Sequence, residues 1–149
     1  MEKYQNIGTR ITLWVNRLVA VLIVALAFAL PAVIRWYSSV RVLTQTEQQA
    51  IMAAFYCCVV PIGMALWSLE RLLGSIMQEQ VFVRENVRRI RCIQWCCAAV
   101  SLICIPASFA YLPLIFLAVI MAFLSLVVCV LTRVMDTAVS LREENDLTI

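Results

Sequence analysis

Seven cysteines and the absence of any histidine bound the chemistry open to this chain. Cys92 and Cys96 stand one helical turn apart with Cys97 adjacent, a spacing that two thiolate ligands of one metal could use. Structural and catalytic zinc sites, however, draw about four ligands from recognisable pairs or from a histidine set, and this chain supplies neither. Cys57, Cys58, Cys97, Cys104 and Cys129 lie in long apolar stretches, where a free thiol behaves as a small hydrophobe. The cysteines therefore read as packing residues, with no metal or other cofactor and no disulfide expected. A second set could do different chemistry. Gln94, Cys97, Ser101, Cys104 and Ser108 recur at helical spacing, as do Ala118, Ala122 and Ser125, and Ala50, Ala54, Cys57, Pro61, Ala65 and Ser68, and these rows are expected to face the bundle interior. Stripes of this kind either line a polar pathway through a membrane or let helices approach closely, and packing is the commoner use.

The elements that carry these residues are membrane spans. Between Arg91 and Arg133 the chain runs 41 residues without Asp, Glu, Lys or Arg. One crossing needs about 20 apolar residues, so this run holds two crossings joined by a tight reversal. Tyr111-Leu112-Pro113 is the obvious reversal, since Pro suits the first turn of a following helix. Charge-free windows at 18–34 and 48–69 supply two more spans. Hydrophobic residues make up 64% of the chain and charged ones 14%, against about 45–50% and about 25% in soluble domains. The fold class expected is all-α: one polytopic domain over 1–149 with four transmembrane helices in a bundle. The spans fall near 13–34, 49–70, 92–110 and 113–134, with a loop at 71–91 and a tail at 135–149.

Lys and Arg set the orientation. Ten of the twelve lie in the N-terminal segment, the middle loop or the tail, and only Arg35 and Arg41 lie on the other side. Both termini are expected in the cytoplasm. Trp14, Trp67 and Trp95 then fall at the cytoplasmic interface, and Trp36, Tyr37 and Tyr111 at the outer one, the level such rings prefer. Ala27-Phe28-Ala29 has the form of a signal-peptide cleavage site, but the long charged segment before it and three later spans favour a retained first helix.

No ionisable group falls at a span centre, where proton and ion carriers usually keep one. Arg17, Glu70 and the pair Arg133/Asp136 sit at cytoplasmic span ends and read as interface anchors, the last two close enough to pair on one helix face. Rhomboid-like, zinc and aspartyl intramembrane enzymes need a Ser–His dyad, histidines or paired acids within the membrane, so no enzymatic activity is expected.

The distinctive polar sequence is cytoplasmic. Residues 80–93 read Gln-Val-Phe-Val-Arg-Glu-Asn-Val-Arg-Arg-Ile-Arg-Cys-Ile, and residues 141–149 read Leu-Arg-Glu-Glu-Asn-Asp-Leu-Thr-Ile. The arginines would suit anionic headgroups, and the acidic tail could pair with them. Together with the apolar hairpin, these segments resemble the bacterial domain-of-unknown-function 2975 family. Its small four-span members share a Phe-x-x-x-Asn element before the third span and an acidic Asp-Leu-Thr terminus. This chain has Gln80-Val81 where many members have Asn-Pro before that Phe. The resemblance covers essentially the whole chain and implies a protein of the cell membrane. Because members are often encoded beside a small helix-turn-helix protein, it also implies a membrane-anchored partner of a cytosolic DNA-binding regulator. Phe82, Asn86 and the acidic tail carry over as a cytoplasmic lock or docking site, with Arg88, Arg89, Arg91, Glu143, Glu144, Asn145 and Asp146 around them. Beyond the lipid bilayer and such a regulator, a homo-oligomer is a conceivable partner, and no direct nucleic-acid binding is expected. The alternative function is a small oligomeric transporter or channel lined by the Gln/Ser/Cys stripe.

Overall fold

The computed structural model describes residues 2–40, 43–77 and 83–147, and the side chains of 8–39, 43–77 and 83–145. These residues form four helices and no strand: α1 (Glu2–Val40), α2 (Gln45–Met77), α3 (Arg84–Ser108) and α4 (Leu114–Leu147). All four are long and apolar enough to cross a membrane. In hydrocarbon every backbone N–H and C=O must be paired within the segment, which leaves the helix as the only form for spans of this composition. The helices outrun the apolar spans at the end where the charges lie. α2 continues through Glu70 and Arg71, α3 begins at Arg84, and α4 carries Arg133, Asp136 and Glu143 before it ends. α1 is continuous through Ala27-Phe28-Ala29.

Close backbone contact among the described residues is confined to consecutive helices: α1 on α2, α2 on α3 and α3 on α4. Each pair is antiparallel: Asn16 meets Leu66 while Ala27 meets Tyr56, Arg71 meets Arg89 while Cys58 clusters with Cys104, and Ser101 meets Ala118 while Gln94 meets Ser125. The start of α1, the end of α2, the start of α3 and the end of α4 therefore share one face, here the terminal face. Large apolar side chains point outward, Phe28 and Phe109 among the most exposed, as expected where the solvent is lipid.

α3 is the most enclosed helix. Between α2 and α4 it buries Asn86, Val87, Ile90, Cys96, Val100, Ser101, Cys104 and Ser108. Its seam row runs Val87, Ile90, Gln94, Cys97, Ser101, Cys104 and Ser108, alternating steps of three and four, and Gln94 and Ser101 on it bond to α4. The seam of α4 runs likewise through Ala118, Met121, Ser125, Val128, Thr132, Met135 and Val139. Such spacing keeps one narrow stripe facing its partner. Small residues on it let the backbones come close, and close van der Waals contact is what drives association in lipid. A buried cluster joins Cys58, Val100, Cys104 and Ala118 from α2, α3 and α4.

Two expected interior positions lie elsewhere. Ala122 is exposed, because α4 packs on α3 alone and its seam is too narrow to include a residue four beyond Ala118. On α2, Cys58 is buried and Cys57 is exposed. That helix contacts α3 along a row that advances in fours, Ala54 to Cys58 to Ile62, and Cys57 falls off it.

Candidate functional site

Every pair of neighbouring helices is tied at the terminal face by polar side chains. Between α1 and α2, Asn16 Nδ2 donates to the Leu66 carbonyl at 3.1 Å, and Arg17 Nε donates to Glu70 Oε1 at 2.8 Å. Between α2 and α3, Arg89 Nη1 donates to the Arg71 carbonyl at 2.9 Å. Between α3 and α4, Arg84 grips Glu143 with two nitrogens, Nη2 to Oε2 at 2.7 Å and Nε to Oε1 at 3.0 Å, and Arg91 approaches Asp136 at 3.9 Å.

Asn86 and Arg89 organise the middle of this face. Val83 is extended and offers no side-chain cap, so the first turn of α3 is held in other ways. The Asn86 N–H donates to the Val83 carbonyl at 2.9 Å. Glu85 lies in the first turn, where a negative charge meets the positive end of the helix dipole. Arg89 Nη2 reaches Glu85 at 2.9 Å and Nη1 reaches Asn86 Oδ1 at 3.4 Å. One mostly buried guanidinium thus joins the first turn of α3 to the last turns of α2. Arg71, which supplies the accepting carbonyl, lays its own guanidinium over the Trp67 ring at 5.0 Å, a cation–π contact.

The residues anticipated at this face divide by exposure. Asn86 is 1% exposed and serves the interior. Arg88, Arg91, Glu143, Glu144 and Asn145 are exposed, and Arg89 is intermediate. Phe82 lies outside the described residues, as does the side chain of Asp146. The Arg133–Asp136 pair is replaced: Asp136 turns toward Arg91 on α3, and Arg133 has no ion pair among the described residues. The rotation of α4 that seats Val139 and Thr132 in the seam carries Asp136 to the α3 side and Arg133 away from it. The hydrogen bonds from Arg84 hold the Glu143 carboxyl below its ordinary 4.5, and the same contact raises Arg84.

The stripe residues are engaged with neighbouring backbone. Ser101 Oγ donates to the Ala118 carbonyl at 2.9 Å and Ser125 Oγ to the Gln94 carbonyl at 3.1 Å, each crossing between α3 and α4. Ser108 Oγ bonds within its helix to the Ile105 carbonyl at 2.6 Å. Cys97, half-buried, lines a cavity of about 170 Å³ with Pro61, Ala65, Cys96, Val100 and Met121, none of which brings a charge. Among the described residues all seven cysteines are free thiols, and no group of three potential metal ligands converges.

The model of a protein family of unknown function, DUF2975, matches residues 6–149. The chain belongs to the DUF2975 family. The match takes in all four helices, so Asn16, Asn86 and Glu143 of this DUF2975 member all lie within it. No curated protein and no solved structure matches the chain.

Asn16 escaped sequence reasoning. The one available signal was a lone amide at the edge of an apolar run, and the carbonyl it meets on α2 is invisible in sequence.

Proposed function

We propose that this DUF2975 protein is a non-enzymatic, multi-pass protein of the bacterial plasma membrane that holds a cytosolic protein at its terminal face. The resemblance points to a helix-turn-helix regulator as that protein. The distribution of Lys and Arg supports a cytoplasmic terminal face, with both chain ends on that side.

The observation that carries this reading is the clamp between Arg84 and Glu143. It joins the start of α3 to the end of α4, so the basic turn with Arg88 and the acidic segment with Glu144 and Asn145 form one surface. Exposed charges of both signs side by side favour a protein partner by electrostatic complementarity. The transporter alternative has less support, because Ser101 and Ser125 already donate to helix carbonyls and the neighbouring cavity is apolar.

The test is co-purification from membranes of the full chain and of a form lacking residues 141–149. The full chain retains its cytosolic partner and the truncated form loses it. Equal recovery of every partner by both forms would overturn the docking role.

A further inference from the structure

Beside the ties Asn16–Leu66 and Arg17–Glu70, α1 and α2 leave a cleft of about 460 Å³, bordered by Asn16, Arg17, Trp67 and Glu70. Its wall toward the membrane centre is apolar, built from Ala20, Val24, Val59 and Leu66, with Gly63 opening it further. A Cβ added at Gly63 would meet nothing within 4 Å, so the glycine leaves room for a chain to lie along the helices.

The polar rim of this cleft has unmet needs of both signs. Asn16 is 6% exposed, and while its Nδ2 is bound to Leu66, its Oδ1 has no hydrogen-bond partner. A buried amide oxygen in that state is costly and calls for a donor. The Leu66 carbonyl is also the acceptor for the Glu70 N–H in the helix ladder, so Asn16 sits beside the turn that ends in Glu70. Arg17 Nε and Nη2 both converge on Glu70 Oε1 at 2.8 Å, which leaves Oε2 open to a further donor. Arg17 keeps Nη1, and its side chain is two-thirds exposed.

We infer that this cleft binds a phospholipid with a primary-ammonium headgroup, phosphatidylethanolamine being the simplest case. The ammonium donates to Glu70 Oε2 and, as the rim opens to admit it, to Asn16 Oδ1, which is otherwise closed to water. The phosphate accepts from Arg17, and one acyl chain lies past Gly63. A choline headgroup carries no N–H and leaves the Asn16 oxygen unmet. A glycerol headgroup supplies no cation for Glu70. Trp67, exposed at the rim, belongs at headgroup level. This site is separate from the docking surface and stands whatever binds there.

The test is native mass spectrometry of the full chain in detergent with equal amounts of phosphatidylethanolamine, phosphatidylcholine and phosphatidylglycerol. The ethanolamine lipid is retained about tenfold over the choline lipid, the preference one charge-assisted hydrogen bond confers. Asn16→Val abolishes that preference. Gly63→Leu, which has room to fold, lowers retention of the ethanolamine lipid without touching a polar group. Soluble phosphoethanolamine at the same concentration does not compete. Equal retention of the ethanolamine and choline lipids by the native chain would overturn the site, as would a preference that survives both substitutions. Full competition by soluble phosphoethanolamine would overturn its assignment to a lipid.

Discussion

Arg84 and Glu143, 59 positions apart, meet at the terminal face through three N–H···O contacts of 2.7 to 3.2 Å. The guanidinium fork matches the two carboxylate oxygens, a geometry that lysine cannot reproduce. It is the outermost tie between α3 and α4 and brings the acidic end of α4 beside the start of α3.

This pair makes the tail sensitive to acid. The carboxyl of Glu143 is held below its ordinary 4.5 in the folded protein, so its contribution is full above the ordinary carboxylate range and is lost as pH falls through its lowered value. Protection factors of the amides in the last turns of α4, taken relative to intrinsic exchange at each pH, are expected to fall as the pH drops below that range. In Glu143→Gln the same protection factors are already lower at neutral pH and show no acid step. Identical exchange in the two proteins at pH 7 would refute the clamp.

Asn86 is expected to matter more than its exposed neighbours. Its side chain is 1% exposed and accepts from Arg89, so Asn86→Leu removes that acceptor and forces a branched chain into the site. A loss of about 1–3 kcal/mol is expected, measured by denaturation in micelles. Arg88→Gln, at an exposed position, changes stability by less than about 0.5 kcal/mol.

The two alanines of α4 give opposite answers to one substitution. Ala118 is 3% exposed in the cluster with Cys58, Val100 and Cys104, so Ala118→Leu pushes α4 from α3 and costs about 1–3 kcal/mol. Ala122 faces lipid, and Ala122→Leu is close to neutral. Equal effects in the same unfolding assay would mean that the seam is placed wrongly.

Ser101 tests the packing reading of the stripe. Its hydroxyl bonds the Ala118 carbonyl across the seam, and a hydrogen bond of this kind in a membrane helix averages about 0.6 kcal/mol. Ser101→Ala is expected to lose about that much stability and to leave liposome permeability to small solutes unchanged. A change in flux would revive the transport pathway.

Arg17 and Glu70 are both partly exposed, so their pairing is worth only about 0–1 kcal/mol. Either single charge removal should shift stability within that range, and the exchange Arg17→Glu with Glu70→Arg should restore most of it in a double-mutant cycle.

Much of the architecture was legible because a span is a property of one segment. The charge-free run from 92 to 132 has to cross twice by its length, and a turn at 109–113 separates α3 from α4. The α3 stripe was legible for a related reason: Gln94, Cys97, Ser101 and Cys104 keep the spacing of one helix face, whichever neighbour that face meets. The site was less so. Asn86 and the acidic tail stood out through the family resemblance, which could not say that one is buried and the other exposed.

Sequence alone determined the physical class, the number of crossings and the end at which charge collects. Each follows from the free energy of single residues in lipid against water. Only tertiary structure decided the partners: Asp136 with Arg91 in place of Arg133, Cys58 in place of Cys57 in the core, Ala122 outside the seam, and Asn16 against Leu66. The physical reason is rotation. Turning a helix about its axis by one residue's angle leaves its hydropathy unchanged yet alters every cross-helix contact. That angle is set by how small residues on two helices fit together.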